Sequence, residues 1–312
     1  MRRFVSWVNG LLTVVVLAAA LAAVLSLGGS QDPRLDLLSH LAPLYGAVGL
    51  AGAVWAIVAG RGPIVAASVL AIVASAYLVV PEFSRGTGPA APPDAPGQIK
   101  VIQLNALTRN TDIGRVAAWL TAQKPDIVTV SEARHDLRDL MVRRGWKTAG
   151  ARGSLMIFTP VRYKAMDRPR PPGGAVLTFV NATYANPSGD LEVFTTHLDR
   201  DLRAVSRRQH RGLETILAHR PTERMILTGD FNATPWSAQL RRLDRDLGLI
   251  RRDRATPTWP AQAFGHRWPL PFLPIDHIYA GPGWATVKVE RGPWLGSDHY
   301  PLIVTLAPVA RR

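Results

Sequence analysis

The sequence predicts a layered α/β (α+β) domain carried behind three transmembrane helices. Two observations support this. Residues 4–29, 37–60 and 62–81 are successive apolar stretches with no Asp, Glu, Lys or Arg. Each is about as long as a helix needs to cross a hydrocarbon core of roughly 30 Å. After residue 98, short apolar runs alternate with helical patterns, and many of the runs stop at a polar side chain. Mixed patterning of this kind fits a layered sheet-and-helix domain.

The first 83 residues form the membrane unit, with helices expected at about 4–27, 38–60 and 62–81. Three buried helices of one large core are the alternative, which so few polar residues disfavour. Arg2 and Arg3 precede the first span and Arg61 separates the second from the third, whereas the first loop mixes Arg34 with Asp32 and Asp36. The positive-inside rule then puts the N-terminus in the cytoplasm and everything after the third span outside, in a multi-pass cell-membrane protein. The first span resembles a signal peptide in its short basic start but lacks a clear cleavage site, so a retained anchor is expected. With no cysteine, disulfides are excluded and the compartment is left open. Residues 84–98, SRGTGPAAPPDAPGQ, read as a Pro/Gly/Ala-rich linker. The remaining 99–312 are long enough for one substantial core.

Within that domain a strand over 99–104 ends at Asn105, and Thr111 or Asp112 caps a helix that buries Ile113, Val116, Ala117 and Leu120. A strand over 127–130 ends at Glu132. Strands over 154–159, 175–184 and 191–196 come next, the last ending at His197. A helix over about 202–218 turns Val205, Leu213, Ile216 and Leu217 inward. Further strands end at Asp230 and Asp276, and a final pair brackets Asp298-His299. Strand ends of this kind share one rim in a sheet sandwich.

The side chains on that rim suit phosphoester chemistry. Carboxylates favour hard cations, and imidazole moves protons near neutral pH. Two corners far apart in sequence, Asp230 with Asn232 and Asp298 with His299, point to convergence on one metal-dependent hydrolytic site. Taken singly, each residue has a plainer reading. Asn105 suits a turn, Glu132 a helix cap, His197 a satisfied polar group, and Asp230 with Asn232 an Asx turn.

Asn105, Glu132, His197, Gly229-Asp230-Phe231-Asn232, Ile275-Asp276-His277 and Ser297-Asp298-His299 occur in an order that resembles the endonuclease/exonuclease/phosphatase superfamily. That group includes DNase I-like nucleases, abasic-site endonucleases, inositol polyphosphate phosphatases and bacterial sphingomyelinases. The membrane unit in front is similar to a membrane-anchored bacterial branch. The resemblance implies a four-layer DNase I-like sandwich and a Mg²⁺-dependent phosphoric ester hydrolase, with Mn²⁺ as a substitute ion. It implies Asn105, Glu132 and Asp298 as metal ligands and His299 as general base oriented by Asp276. Asp230 and Asn232 would position water and a phosphate oxygen. His197 would hydrogen-bond the phosphate or protonate the leaving group. His277 has no implied role and reads as structural. Ala106, Leu107 and Thr108 stand where many nuclease members carry an acid after the Asn, which favours a single metal.

From Lys100 onward the chain holds 32 Lys and Arg against 19 Asp and Glu, a net of +13 that attracts polyanions. Arg200, Arg203 and Arg207, with Arg208 and Arg211, could track a phosphate backbone or form a solvated helix face. Trp259, Phe264, Trp268 and Phe272 could stack on bases, touch a bilayer interface or pack their own loop. The expected function is a membrane-tethered extracytoplasmic phosphodiesterase, nuclease-like by default, acting on nucleic acid. Phospholipase C/sphingomyelinase-like action on phospholipid head groups and phosphomonoesterase action are the alternatives, with a catalytically inactive binding module after them.

Overall fold

The computed structural model describes residues 2–150, 154–167, 177–186, 189–199 and 204–309. They form two compact units. One comprises Met1–Arg85 with Asp201–Ala204 and Ala233–Arg242; the other comprises Gly86–Arg200, Val205–Asn232 and Leu243–Arg312.

The first unit is helical, with α1 (Arg2–Ser26), a 3₁₀ turn (Leu27–Ser30), α2 (Pro33–Ser39), α3 (Ala42–Val58) and α4 (Gly62–Ser84). Val16 and Ala20 of α1 pack against Ala67 and Ala71 of α4, and Ala19 and Ala23 pack against Tyr45 and Ala74. Small residues let helix backbones approach closely where lipid offers no hydrophobic drive to associate. Leu17, Leu21, Leu50, Val54, Leu70 and Val73 face outward and exposed. Two helices, Arg3–Ser30 and Gly62–Ser84, are long and apolar enough to cross a membrane. The pair α2 and α3, bent by 57°, is long and apolar enough for a third only if the two count as one. The expected second span over 38–60 is thus broken near its start, where Pro43 opens a new helix in its first turn.

The second unit holds thirteen strands among the described residues. β1 (Ile99–Asn105), β2 (Ile127–Ser131), β3 (Lys147–Ala149) and β4 (Met156–Thr159) come first, with α5 (Ile113–Ala122) and α6 (His135–Arg143) between them. β5 (Phe179–Tyr184) and β6 (Leu191–His197) precede α7 (Ala204–Leu217) and β7 (Met225–Asp230). Next come α8 (Ala238–Asp246), whose residues up to Arg242 belong to the first unit, β8 (Ile250–Arg251), a small hairpin of β9 (Gln262–Ala263) and β10 (His266–Arg267), then β11 (Asp276–Ala280), β12 (Trp284–Arg291) and β13 (Leu302–Pro308). One sheet runs β12-β13-β1-β2-β4-β3 and the other β5-β6-β7-β11-β8.

Period-2 alternation along β1 builds two cores. Ile102 and Leu104 join Val116 and Leu120 of α5 and Leu137 and Met141 of α6 on one face. Val101 joins Val193, Ile226 and Ile278 of the other sheet, so the two sheets pack face to face. Each such side chain contributes about 1.5–3 kcal/mol on burial. β6 and β7 are parallel, so α7 serves as their crossover, burying Leu213 and Leu217. A polar tie crosses the interface: Thr228 donates to Thr129 at 2.8 Å, and Thr129 donates to the Gln103 side chain at 2.7 Å.

Asp112 caps α5 only by position. Its side chain makes no capping bond, and the Asn110 side chain accepts from the Asp112 amide instead. Residues 86–98 run beside β12, where the Ala91 amide bonds the Thr286 carbonyl and the Thr286 amide bonds Pro89.

Candidate active site

Strand direction gathers the expected residues on one rim of the second unit. β1 and β2 are parallel and in register from Val101 with Ile127 to Asn105 with Ser131, so Asn105 and Glu132 leave the sheet side by side. β6 and β7 end together, with His197 opposite Asp230. Asp276 starts β11 rather than ending a strand. Because β11 is antiparallel to β7, Asp276 still lies opposite Asp230. The loop before β13 brings Ser297-Asp298-His299 to the same rim. There the Ser297 hydroxyl donates to the Asn105 carbonyl at 2.6 Å and accepts from the His299 amide at 3.1 Å.

Local backbone explains the motif glycine. A Cβ on Gly229 would sit 2.2 Å from the Thr196 carbonyl oxygen, so only glycine allows β6 and β7 their approach beside the site. Glu132 and Asn232 adopt positive φ, at 51° and 49°, and such strain persists where surrounding contacts over-determine it. For Asn232 those contacts are its amide bonded to Asp230 Oδ1 at 2.9 Å and its side chain donated to the Leu198 carbonyl at 2.8 Å. Asp230 and Asn232 therefore form the Asx turn, while Asp230 also reaches Asn105 through its other oxygen.

Asn105 joins the two sheets at the floor. Its amide nitrogen lies 3.0 Å from Glu132 Oε1 and 3.0 Å from Asp230 Oδ2. The other Glu132 oxygen accepts from the Thr108 amide at 3.2 Å, which is how the corner with no second acid is completed. His197 Nε2 stands 3.9 Å from Glu132 and 3.6 Å from Asp230, partly open to solvent. His299 is buried; its Nδ1 meets Asp276 Oδ2 at 2.7 Å and its Nε2 faces Asp230 Oδ2 at 3.7 Å.

The electrostatics arise from these contacts. Burial alone would lower the pKa of His299, but the Asp276 and Asp230 charges outweigh it and raise the group to about 9. Burial pushes the Glu132 carboxyl up, yet bonds from Asn105 and Thr108 and the neighbouring His197 hold it below its ordinary value. Glu132 is thus ionised at neutral pH.

The donor set fits a hard divalent cation. Asn105 Nδ2 donates to Glu132 Oε1 and to Asp230 Oδ2 at 3.0 Å each, which holds two acid oxygens near one another, and the buried Asp276 Oδ1 has no hydrogen-bond partner among the described residues. Among the described residues, Asp230, Asp276 and His299 are the group of His and carboxylate side chains whose ligand atoms all lie within 4.8 Å of one another. In that group Asp276 and His299 are already bonded to each other, the arrangement of an orienting dyad. Asp298 is half-buried; its charge adds to the field on His299 and its carbonyl accepts from the Ala261 amide at 2.7 Å. Arg207 lies half-buried on α7, while Arg200 and Arg203 fall outside the described residues. His277 is buried behind the rim, bonded to Asp253 at 2.7 Å. Sequence reasoning passed over Thr108 and the Ser297 hydroxyl; adjacency to the motifs was the available signal.

The model of the Endonuclease/Exonuclease/phosphatase family matches residues 102–299. No curated protein matches. Among solved structures, an endonuclease/exonuclease/phosphatase from Beutenbergia cavernae is 20% identical with a TM-score of 0.51, covering 68% of this chain and 72% of that one. D. rerio TDP2 complexed with single-strand DNA product is 17% identical with a TM-score of 0.55, covering 67% and 99%. The human Nocturnin catalytic domain with bound sulfate is 16% identical with a TM-score of 0.53, covering 73% and 99%. Identities this low speak for the fold alone. The family model spans the motif-bearing strands from β1 to His299, and the chain belongs to the endonuclease/exonuclease/phosphatase family of phosphoester hydrolases, with its DNase I-like fold of mixed α/β sheets.

Proposed function

We propose that this chain is a membrane-anchored, extracytoplasmic, Mg²⁺-dependent phosphodiesterase, nuclease-like in its action. One observation supports the chemistry above the rest: Asn105 holds Glu132 and Asp230 together across the two sheets while Asp276 orients His299 beside them. Glu132 and Asn105 would hold the cation, with Asp298 as a further acid. A divalent cation there supplies charge neutralisation for the phosphoryl oxygens. His299 would take the proton from the attacking water once a bound cation offsets the carboxylate charges that otherwise keep it protonated, with Asp276 fixing its tautomer. Asp230 and Asn232 position that water and one phosphate oxygen. His197, across the same carboxylates and open to solvent, donates to the phosphate or the leaving oxygen. Arg207, with Arg200 and Arg203, is proposed to track the phosphate backbone of a nucleic acid.

Topology supports the outside placement. The turn between α1 and α3 hydrogen-bonds residues 234–239, so both lie on one side of a membrane that α3 and α4 cross in succession. Arg2, Arg3 and Arg61 on the opposite side obey the positive-inside rule.

A second reading, phospholipid head-group cleavage, is favoured by one feature. Phe264 is fully exposed at the hairpin tip, Leu270 and Phe272 are exposed nearby, and the same loop bonds the Asp298 carbonyl. The test uses the full chain in detergent micelles with bis-p-nitrophenyl phosphate, then DNA, RNA and phospholipid side by side. Turnover should require Mg²⁺ and vanish with EDTA or Glu132→Ala; robust EDTA-resistant turnover refutes the metal assignment. A reporter after Arg312 that is active only in the cytoplasm overturns the topology.

A further inference from the structure

The helical unit contains a segment from far along the chain. Residues Ala233–Arg242, which begin immediately after Asn232, belong to it. The turn formed by α2 and His40 holds that segment at both ends. Asp36 is fully buried, and its carboxylate accepts from the Ala238 amide at 2.6 Å and the Gln239 amide at 3.1 Å. These are the first amides of α8, so a side chain some 200 residues away neutralises donors that a local cap would ordinarily satisfy. Ser237 serves only the next amide, from Leu240 at 3.2 Å. Nearer the motif, His40 Nδ1 meets the Thr234 hydroxyl at 2.9 Å and the Thr234 amide at 3.4 Å, and the His40 carbonyl accepts from Trp236 Nε1 at 3.2 Å. Thr234, Trp236 and Ser237 are all buried. The turn is shaped for this: a Cβ on Gly29 would lie 2.6 Å from Asp36 Oδ1.

A buried carboxylate and a buried histidine inside an apolar helical unit are costly unless their bonds are kept. An anchor alone requires neither. The segment they grip continues directly from Asn232, whose positive φ needs restraint on both sides. Upstream restraint comes from Asp230 and Leu198; the fixed point downstream is Thr234, two residues on.

We propose that Asp36 and His40 are positioning residues for catalysis, holding the backbone that continues from Asn232 so that its strained conformation is restrained from the downstream side. The inference rests on the phosphodiesterase reading only for its kinetic half. Asp36 and His40 touch no reacting group and act through the backbone they hold.

The test compares full-length wild type with Asp36→Ala, Asp36→Asn, Thr234→Val and Thr234→Ser in micelles. Hydrogen exchange is read on peptides covering residues 228–240, and kcat and KM on bis-p-nitrophenyl phosphate with Mg²⁺. Asp36→Ala and Thr234→Val should speed exchange across 230–239 and lower kcat about tenfold or more with KM little changed, since small misplacements of reacting groups are that costly. Asp36→Asn and Thr234→Ser, which keep an acceptor or the hydroxyl, should recover most of both. Unchanged exchange at 230–233 overturns the proposal whether or not that substrate is turned over. Faster exchange with unchanged kcat reduces the contact to packing and overturns it equally. A wild type that is inactive on every phosphodiester would sink the functional reading, leaving exchange at 230–233 to decide the positioning.

Discussion

The His299–Asp276 pair makes the stability of the metal-free protein depend on pH in a definite direction. Its folded pKa of about 9 lies above the ordinary 6.5, because the carboxylates of Asp276 and Asp230 overcome the cost of burial. The folded state therefore holds the proton more tightly than the unfolded chain. The resulting stability is fully present below pH 6.5 and is lost as pH rises toward and through 9. At about 1.4 kcal/mol per pH unit, the full effect is about 3 kcal/mol. The perturbation is His299→Gln, which keeps a polar group of similar reach and removes the titration. Urea unfolding of wild type and variant, monitored by tryptophan fluorescence in micelles with EDTA, gives their stability difference at pH 6 and pH 9.5. That difference should favour wild type at pH 6 and shrink by about 3 kcal/mol at pH 9.5. Repeating the series with saturating Mg²⁺ should flatten the dependence, because a cation near Asp230 offsets one of the charges holding the proton. A difference that is constant with pH, or that grows as pH rises, refutes the assignment of the raised pKa to His299.

Two packing contacts can be tested in the same unfolding assay. Gly229→Ala places a methyl 2.2 Å from the Thr196 carbonyl, so it should destabilise the protein by about 3 kcal/mol or more. It should also lower turnover, since β7 carries Asp230. Thr228→Val removes the hydroxyl that ties the sheets through Thr129, at nearly constant volume. About 1–2 kcal/mol should be lost on denaturant unfolding, with the midpoint moving and the m-value unchanged.

The rim was legible because buried parallel strands are continuous apolar runs, and a polar side chain closing such a run is conspicuous. Ile127–Ser131 before Glu132 and Met225–Asp230 are such runs. The α5 face was legible for the matching reason, four apolar residues at helical spacing, all buried. The features that stayed hidden lack local period. β8, β9 and β10 are two residues each, too short to alternate. The direction of β11 depends on pairing with β7, so Asp276 could be placed on the rim but not at the correct end of its strand. The break after α2 is a contest between hydropathy, which continues through residues 37–60, and Pro43, which restarts the helix. His40 with Thr234 and Asp36 with Ala238 are about 200 positions apart, and no neighbouring residue announces either pairing.

Charge is distributed in a way that only the fold makes intelligible. The chain after residue 99 has a net charge of +13, yet Glu132, Asp230, Asp276 and Asp298 all stand at one rim beside two histidines. On the proposed function, a phosphodiester approaching the domain would be drawn by the broad positive field, which acts over a Debye length of roughly 8–10 Å. At the rim it meets carboxylates at close range, where attraction gives way to repulsion and a hard cation would reverse the sign again. Attraction at a distance and chemistry at contact thus fall to different groups. Neutralising exposed arginines should weaken substrate capture with a strong salt dependence, whereas changes at Glu132 should strike turnover with little salt dependence. Domain-wide charge was visible in the composition, but its reversal at the rim depends on Asn105 drawing two carboxylates from different sheets to one atom.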